Sequence, residues 1–389
     1  MTHAALAALE RGLEALGRDG LARTRRRLEG AQGPVVVEGG RTLVNFASND
    51  YLGLASHPRI RAAAIAAIER YGFGAGASPI VVGHATPHEQ AEASFARFVG
   101  LPRALLFPSG YAANLGLLAA LAGREAEIFA DKLNHACLND GALLSRACLR
   151  RYPHGDLDCL EAMLRGSKAA TRLIATDTVF SMDGDIAPVQ ALLGLARQYD
   201  AWLVLDDAHG IGVLGGGRGI LAHAGLRSPR IVYMATLGKA LGGYGAIVAG
   251  EAAMVEWLTQ KARTYVFSTA LPPAVAAAAS EALAMLEQDD GPVRALSANI
   301  ATLRERLAEG GVTGASTTAI QPVIVGEAAR AVALSARLRE RGLLVPAIRP
   351  PTVPAGTSRL RIGLSAAHTR DQVRELANAL LEELADAPR

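Results

Sequence analysis

Three short segments in this chain place reactive side chains directly after apolar runs. The run IVYMA (231–235) is followed by Thr236-Leu237-Gly238-Lys239-Ala240-Leu241-Gly242-Gly243. A lysine among small residues at the end of a buried strand is unusual, because lysine normally keeps its charge in water. Desolvation lowers its pKa and makes the amine a usable nucleophile or base. The run WLVLD (202–206) delivers the carboxylate of Asp206 to a strand end, and His209 follows three residues later. The run ALLF (104–107) leads through Pro108-Ser109-Gly110-Tyr111 into a helical stretch. A helix N-terminus opened by glycine offers free N–H groups to an anion.

Each segment alone has a plainer reading, as a surface lysine on a glycine loop, a capped turn, or an ordinary strand-to-helix turn. Other chemistries fit less well. No third ligand is spaced for a metal beside Asp206 and His209, and no metal is expected. No G-x-S-x-G elbow supports a serine triad. The glycines of GFGAG (72–76) follow a helical pattern and not a strand, which argues against a dinucleotide fingerprint. Asp183 and Asp185 in FSMDGD read as turn formers. Together the three segments match the needs of pyridoxal 5′-phosphate (PLP): an anion cradle, a carboxylate for the pyridine nitrogen, and a lysine for the aldehyde.

The elements that must position these groups follow from pattern. Strand candidates ALLF, LIATD (173–177), WLVLD and IVYMA alternate with helical stretches such as YAANLGLLAALAG and APVQALLGLARQYD. That alternation predicts an α/β unit with a mostly parallel sheet covered on both faces. Ligands of such sheets bind beyond the carboxyl ends of the strands. The expected organisation is an N-terminal arm (1–45), a large α/β domain (46–275) and a smaller α+β domain (276–389). The arm carries Leu6, Leu9, Leu13 and Leu16 at helical spacing, a basic stretch at Arg23, Arg25, Arg26 and Arg27, and a hairpin around Gly39-Gly40.

Bulk composition excludes some classes. The 389 residues carry a net charge of only +3, too little to argue for nucleic acid or an anionic membrane. No run of about 18 apolar residues predicts a membrane span. The first residues lack the apolar core of a signal peptide. Cys137, Cys148 and Cys159 form no C-x-x-C pair, so reduced thiols in the cytoplasm are expected.

From NFASNDYLGL (45–54) to RLRIGLSAAHT (359–369) the sequence resembles the α-oxoamine synthase family of fold-type I PLP enzymes. The resemblance is carried by SGYAAN (109–114), DKLNHACL (131–138), FSMDGD (180–185), LDDAHGIGVLGGGRG (205–219), TLGKALGGYGAIVAG (236–250), FSTALPP (267–273) and AIRPPTVPAGTSRLRIGLS (347–365). It implies a Schiff base on Lys239, which later shuttles protons, and Asp206 paired with the pyridinium. It implies His135 stacked on the ring, and His209 and Ser181 near the phenolic oxygen. Gly110, Tyr111 and Thr236 would lie near the phosphate, with Ser268 and Thr269 reaching the phosphate of the other subunit of a homodimer. Arg361 would take the amino-acid carboxylate, Asn49, Arg349 and Thr352 would line the substrate pocket, and Arg25 would reach the acyl substrate from the arm.

Within the family, Gly210 in DDAHG and the stretch AIRPPTVPAGT resemble the branch that joins L-alanine to a pimeloyl thioester, on acyl carrier protein or coenzyme A, in biotin biosynthesis. The glycine-using branches usually carry alanine after that histidine. Two positions depart from the family pattern. Pro79 stands where many relatives have arginine, which counts against the 5-aminolevulinate branch. Ala91 stands where leucine is common, a packing change. A glycine-using synthase and, in a different class, a nicotinamide-dependent oxidoreductase are the alternative readings. The latter would form no Schiff base.

Overall fold

The computed structural model describes residues 3–18 and 20–385, so the outer limits of the expected arm and C-terminal domain, Met1 and Arg389, lie outside the described residues. The chain begins with helix Ala4–Arg18 and then forms the hairpin β1 (Val35–Glu38) and β2 (Arg41–Asn45), turning at Gly39-Gly40 as the pattern predicts. Both turn glycines have positive φ, 57° and 74°, which a two-residue hairpin requires. The leucine stripe of the first helix is helical, but Leu6, Leu9, Leu13 and Leu16 all remain exposed.

The large sheet is built from β3 (Arg103–Phe107), β4 (Ala126–Asp131), β5 (Cys148–Tyr152), β6 (Thr171–Asp177), β7 (Ala201–Asp206), β8 (Ile231–Thr236) and β9 (Ala246–Gly250). Its order is β3-β9-β8-β7-β6-β4-β5. All neighbours are parallel except β9, which runs antiparallel to both β3 and β8. The expected α/β class with a mostly parallel sheet is therefore observed. Because β9 reverses, β3 points the same way as β8, and the ends of β3, β4, β6, β7 and β8 share one rim.

Burial alternates along the strands with a period of two. In β7, Leu203 and Leu205 pack into one apolar core and Val204 into the other. Helices Gly110–Leu121, Ala136–Ser145 and Ala252–Lys261 cover the Val204 face. Helices Thr86–Val99, Leu157–Gly166 and Val189–Gln198 cover the opposite face. Each fully buried leucine contributes roughly 1.5–3 kcal/mol relative to exposure. Leu203→Ala would lose that and leave a cavity, a cost of about 2–5 kcal/mol.

The C-terminal part contains β10 (Ile320–Gly326), β11 (Leu343–Leu344), β12 (Ala347–Ile348) and β13 (Ser358–Gly363). Strands β10, β13 and β12 form a small antiparallel sheet, and β11 pairs with β2 of the N-terminal hairpin. Helix Pro273–Gln288 packs back on helices Pro58–Tyr71 and Thr86–Val99, and helix Gly291–Glu309 packs on the last helix, Arg370–Ala385. Among the described residues, no helix is long and apolar enough to cross a membrane.

Candidate active site

The shared strand rim carries a cavity of about 190 Å³ lined by Gly110, Tyr111, His135, Cys137, Asp177, Asp206, Ala208, His209, Met234, Thr236 and Lys239. Asp206 ends β7 beside Asp177, its register partner at the end of β6. Both carboxylates are buried. Asn114 Nδ2 donates to Asp206 Oδ2 at 2.7 Å, and the Ala208 N–H donates to Oδ1 at 3.0 Å. Cys137 Sγ stands 4.0 Å from Oδ2, so one carboxylate is oriented from three sides. Burial, with the charge of Asp206 added, pushes the carboxyl of Asp177 well above the usual range.

Lys239 lies in the turn after β8. Its Nζ is 2.8 Å from His209 Nε2. Burial lowers its pKa, and Asp206 and Asp177 oppose that shift. Burial also lowers the pKa of His209 strongly, with the charges of Lys239 and Arg361 acting in the same direction, so its imidazole is neutral.

The helix after β3 is capped by Ser109, whose Oγ accepts from Ala112 N at 3.1 Å. The N–H groups of Gly110 and Tyr111 open that helix at the cavity wall, where the first turn has no internal acceptor. Thr236 Oγ1 lies on the same wall and donates to Gly245 O at 3.1 Å. His135 caps the helix Ala136–Ser145 and stands 2.9 Å from Cys137 Sγ through Nδ1.

A second group adjoins this cavity through hydrogen bonds. His209 Nδ1 is 2.7 Å from Tyr51 Oη, and Tyr51 Oη is 3.0 Å from Asn49 Oδ1. Arg361 on β13 donates from both Nη atoms to Asn49 Oδ1 at 3.2 Å, and from Nε to the Ser181 carbonyl at 2.6 Å. Ser181 thus meets Arg361 through its backbone. The small sheet brings the guanidinium to the rim of the large one.

Of the residues singled out from sequence, Gly110, Tyr111, His135, Asp206, His209, Thr236 and Lys239 line the cavity, and Asn49, Ser181 and Arg361 join it through the chain just described. Ser268 and Thr269 line a separate small cavity with His84, His88 and Glu92. Arg349 donates to the Ala22 carbonyl in the arm at 3.2 Å. Arg25 and Thr352 are exposed, and neither lines the cavity of Lys239. Asp183 pairs with Arg359, and Asp185 accepts from His154 Nε2 at 2.9 Å, so both organise the turn.

Sequence reading missed Asn114, Cys137, Asp177 and Tyr51. Asp177 had a usable signal, because it ends LIATD as Asp206 ends WLVLD. The others depend on side-chain contacts across elements.

The donor set fits PLP. An amine, a buried and oriented carboxylate, a helix N-terminus with a hydroxyl, and an imidazole ring surround one cavity, the set of groups the cofactor calls for.

Comparison with known proteins agrees. The chain is 55% identical to an 8-amino-7-oxononanoate synthase of Methylobacillus flagellatus, over 97% of this chain and 96% of that protein. It overlays serine palmitoyltransferase from S. paucimobilis, solved with a bound PLP–myriocin aldimine, with a TM-score of 0.91 at 28% identity, covering 97% of this chain and 96% of that one. An 8-amino-7-oxononanoate synthase from Francisella tularensis overlays with a TM-score of 0.77 at 32% identity, covering 88% and 98%. The aminotransferase class I and II family matches residues 41–380, from the hairpin into the last helix, and with lysine, carboxylate and helix N-terminus on one rim, this chain belongs to that family.

Proposed function

We propose that this protein binds PLP and condenses L-alanine with a pimeloyl thioester, releasing carbon dioxide and the thiol carrier and forming 8-amino-7-oxononanoate, a step of biotin biosynthesis. The observation that carries this reading is the meeting of Lys239, Asp206 and the Gly110 helix N-terminus around one cavity. The substrate pair follows the name of the full-length relative.

Bound in the cavity, the cofactor supplies an aldehyde for amino groups and a ring that accepts the electron pair left at Cα. Asp206, held by Asn114 and the Ala208 N–H, keeps a proton on the ring nitrogen. Lys239 would hold the cofactor through its aldehyde in the resting protein and would act as the base and later the acid at Cα. Its lowered pKa suits a base that works near neutrality. His135 would lie against the cofactor ring, and His209 and Ser181 would serve its phenolic oxygen.

Gly110, Tyr111 and Thr236 would hold the phosphate, joined by Ser268 and Thr269 of a second copy. Arg361 would receive the alanine carboxylate, Asn49, Arg349 and Thr352 would line the substrate pocket, and Arg25 would reach the acyl substrate. Exposed Phe73, Val81, Val82 and Phe267 support a homodimer. They lie on segments tied together by Ser78 Oγ to Val266 O at 2.7 Å. The acyl group arrives on acyl carrier protein or coenzyme A. Three free cysteines and the absence of a spanning helix among the described residues fit the cytoplasm.

The purified protein should be yellow, and borohydride should fix the cofactor on Lys239 and abolish the colour. Lys239→Ala should lower turnover roughly a thousandfold. A colourless protein that turns over a nicotinamide would sink the reading. Preference for glycine over L-alanine with a pimeloyl thioester would move it to another branch.

A further inference from the structure

The turn 180–186 lies between the large sheet and the small one, and a histidine holds it from the large side. His154 follows β5, and each of its ring nitrogens faces a carboxylate. Nδ1 lies 3.1 Å from both oxygens of Asp131, the last residue of β4, and Nε2 lies 2.9 Å from Asp185 Oδ2 in the turn. A carboxylate only accepts, so each nitrogen donates and the ring carries two protons. Asp131 is buried and also accepts from the N–H groups of Leu133 at 2.8 Å and Gly155 at 3.0 Å, which fixes it as an acceptor. Burial disfavours the charged ring, but the charges and hydrogen bonds of Asp131 and Asp185 outweigh it and raise its pKa. The Phe180 ring packs edge-on to the imidazole, with centroids 4.3 Å apart. The other oxygen of Asp185, Oδ1, is buried without a partner among the described residues, so His154 is the side chain that orients this carboxylate.

On its other side the same turn touches the small sheet. Ser316 Oγ and Thr318 Oγ1 each donate to Gly184 O at 3.0 Å. Asp183 pairs with Arg359 on β13, and Arg361, two residues along that strand, donates from Nε to Ser181 O at 2.6 Å. The fit is tight, because a Cβ at Gly184 would come within 2.3 Å of Ile320 O. We propose that His154 is a positioning residue: by tying the 180–186 turn to β4, it sets the place of the Ser181 carbonyl and so aims Arg361 at the amino-acid carboxylate. Backbone bonds inside the turn, Phe180 N to Asp185 O at 3.0 Å and Gly184 N to Phe180 O at 2.8 Å, keep its shape without the histidine. What His154 adds is the position of the turn against β4. Its loss is therefore felt in ligand binding, with the fold retained.

The inference rests on Arg361 receiving that carboxylate, and its test compares two ligands of the holoenzyme. L-Alanine and ethylamine both present a primary amine on a two-carbon unit, but only L-alanine has a carboxylate. Each is titrated against the absorbance of the bound cofactor. His154→Ala should weaken L-alanine about tenfold and leave ethylamine unchanged. In turnover, KM for L-alanine should rise while kcat is nearly kept. Asp185→Ala removes the other end of the tie, leaves the histidine in place, and should give the same split between the two ligands. Thermal melts of both variants check that the fold is retained. Equal losses for the two ligands would mark a merely structural role and overturn the proposal. So would wild-type affinity for L-alanine in both variants. Either result would leave the assignment of cofactor and substrates standing, because those rest on colour, reduction and product.

Discussion

Asp206 and Asp207 are neighbours at the tip of one strand, and they face opposite sides of the sheet. Asp206 continues the Val204 side, where Asn114 and Cys137 orient it toward an open cavity. Asp207 turns to the Leu203 and Leu205 side and is sealed. Tyr233 Oη donates to its Oδ2 at 2.5 Å, Ile220 N donates to the same oxygen at 2.9 Å, and Thr178 donates to Oδ1. Burial nevertheless pushes its carboxyl up to about 7, with those donors opposing the shift. Two glycines press against it. A Cβ at Gly210 would come within 2.0 Å of Asp207 Oδ1, and one at Gly219 within 2.2 Å of Oδ2. One carboxylate is kept accessible for chemistry. The other ties the 207–220 loop to the strand and so holds His209 in place.

The strongest way to break this contrast is Asp206→Asn. It keeps the shape, removes the charge, and should cost about a hundredfold in kcat with little change in Tm. Steady-state kinetics beside thermal melts check this, and a large drop in Tm with activity retained would merge the two roles.

Gly210→Ala should act through Asp207. The methyl meets a carboxylate locked by three donors, so it should destabilise the fold by about 1–3 kcal/mol, read as a lower midpoint in urea. This gives the glycine of DDAHG a physical reason. A chain with alanine there must seat this carboxylate differently.

A further effect lies in the pH dependence. In the folded state Asp207 holds its proton up to about pH 7, whereas in the unfolded chain it loses it near pH 4. Between these values the folded state binds more protons, so this group makes stability fall as pH rises. Asp207→Asn should remove that component. Urea midpoints of wild type and variant, compared at about pH 5 and pH 8, should diverge in favour of the variant at the higher pH. Parallel curves would show that Asp207 is ionised throughout.

Much of this was legible in the chain itself. Apolar runs ending in Asp206, or leading into Thr236 and Lys239, reported both a strand and a rim, because a buried strand must be apolar and its end is where polarity resumes. The hairpin at Gly39-Gly40 and the helix 110–121 were visible for similar local reasons. Strand β9 was harder to read. AIVAG is short, and nothing within it says that it enters the sheet antiparallel between β3 and β8. Strands β4 and β5 also went unread, since AEIFAD and CLRRY mix charges with apolar residues at positions near the sheet edge.

The sequence by itself determined the reactive set of Lys239, Asp206, His209 and the Gly110 helix start, because strand-end chemistry depends on local pattern and chain order. Tertiary structure alone decided that Arg361, 122 positions beyond Lys239 in the numbering, closes a hydrogen-bonded chain with Asn49, Tyr51 and His209. It also decided which of two adjacent aspartates faces the cavity. Contacts between distant segments depend on how sheets and helices pack.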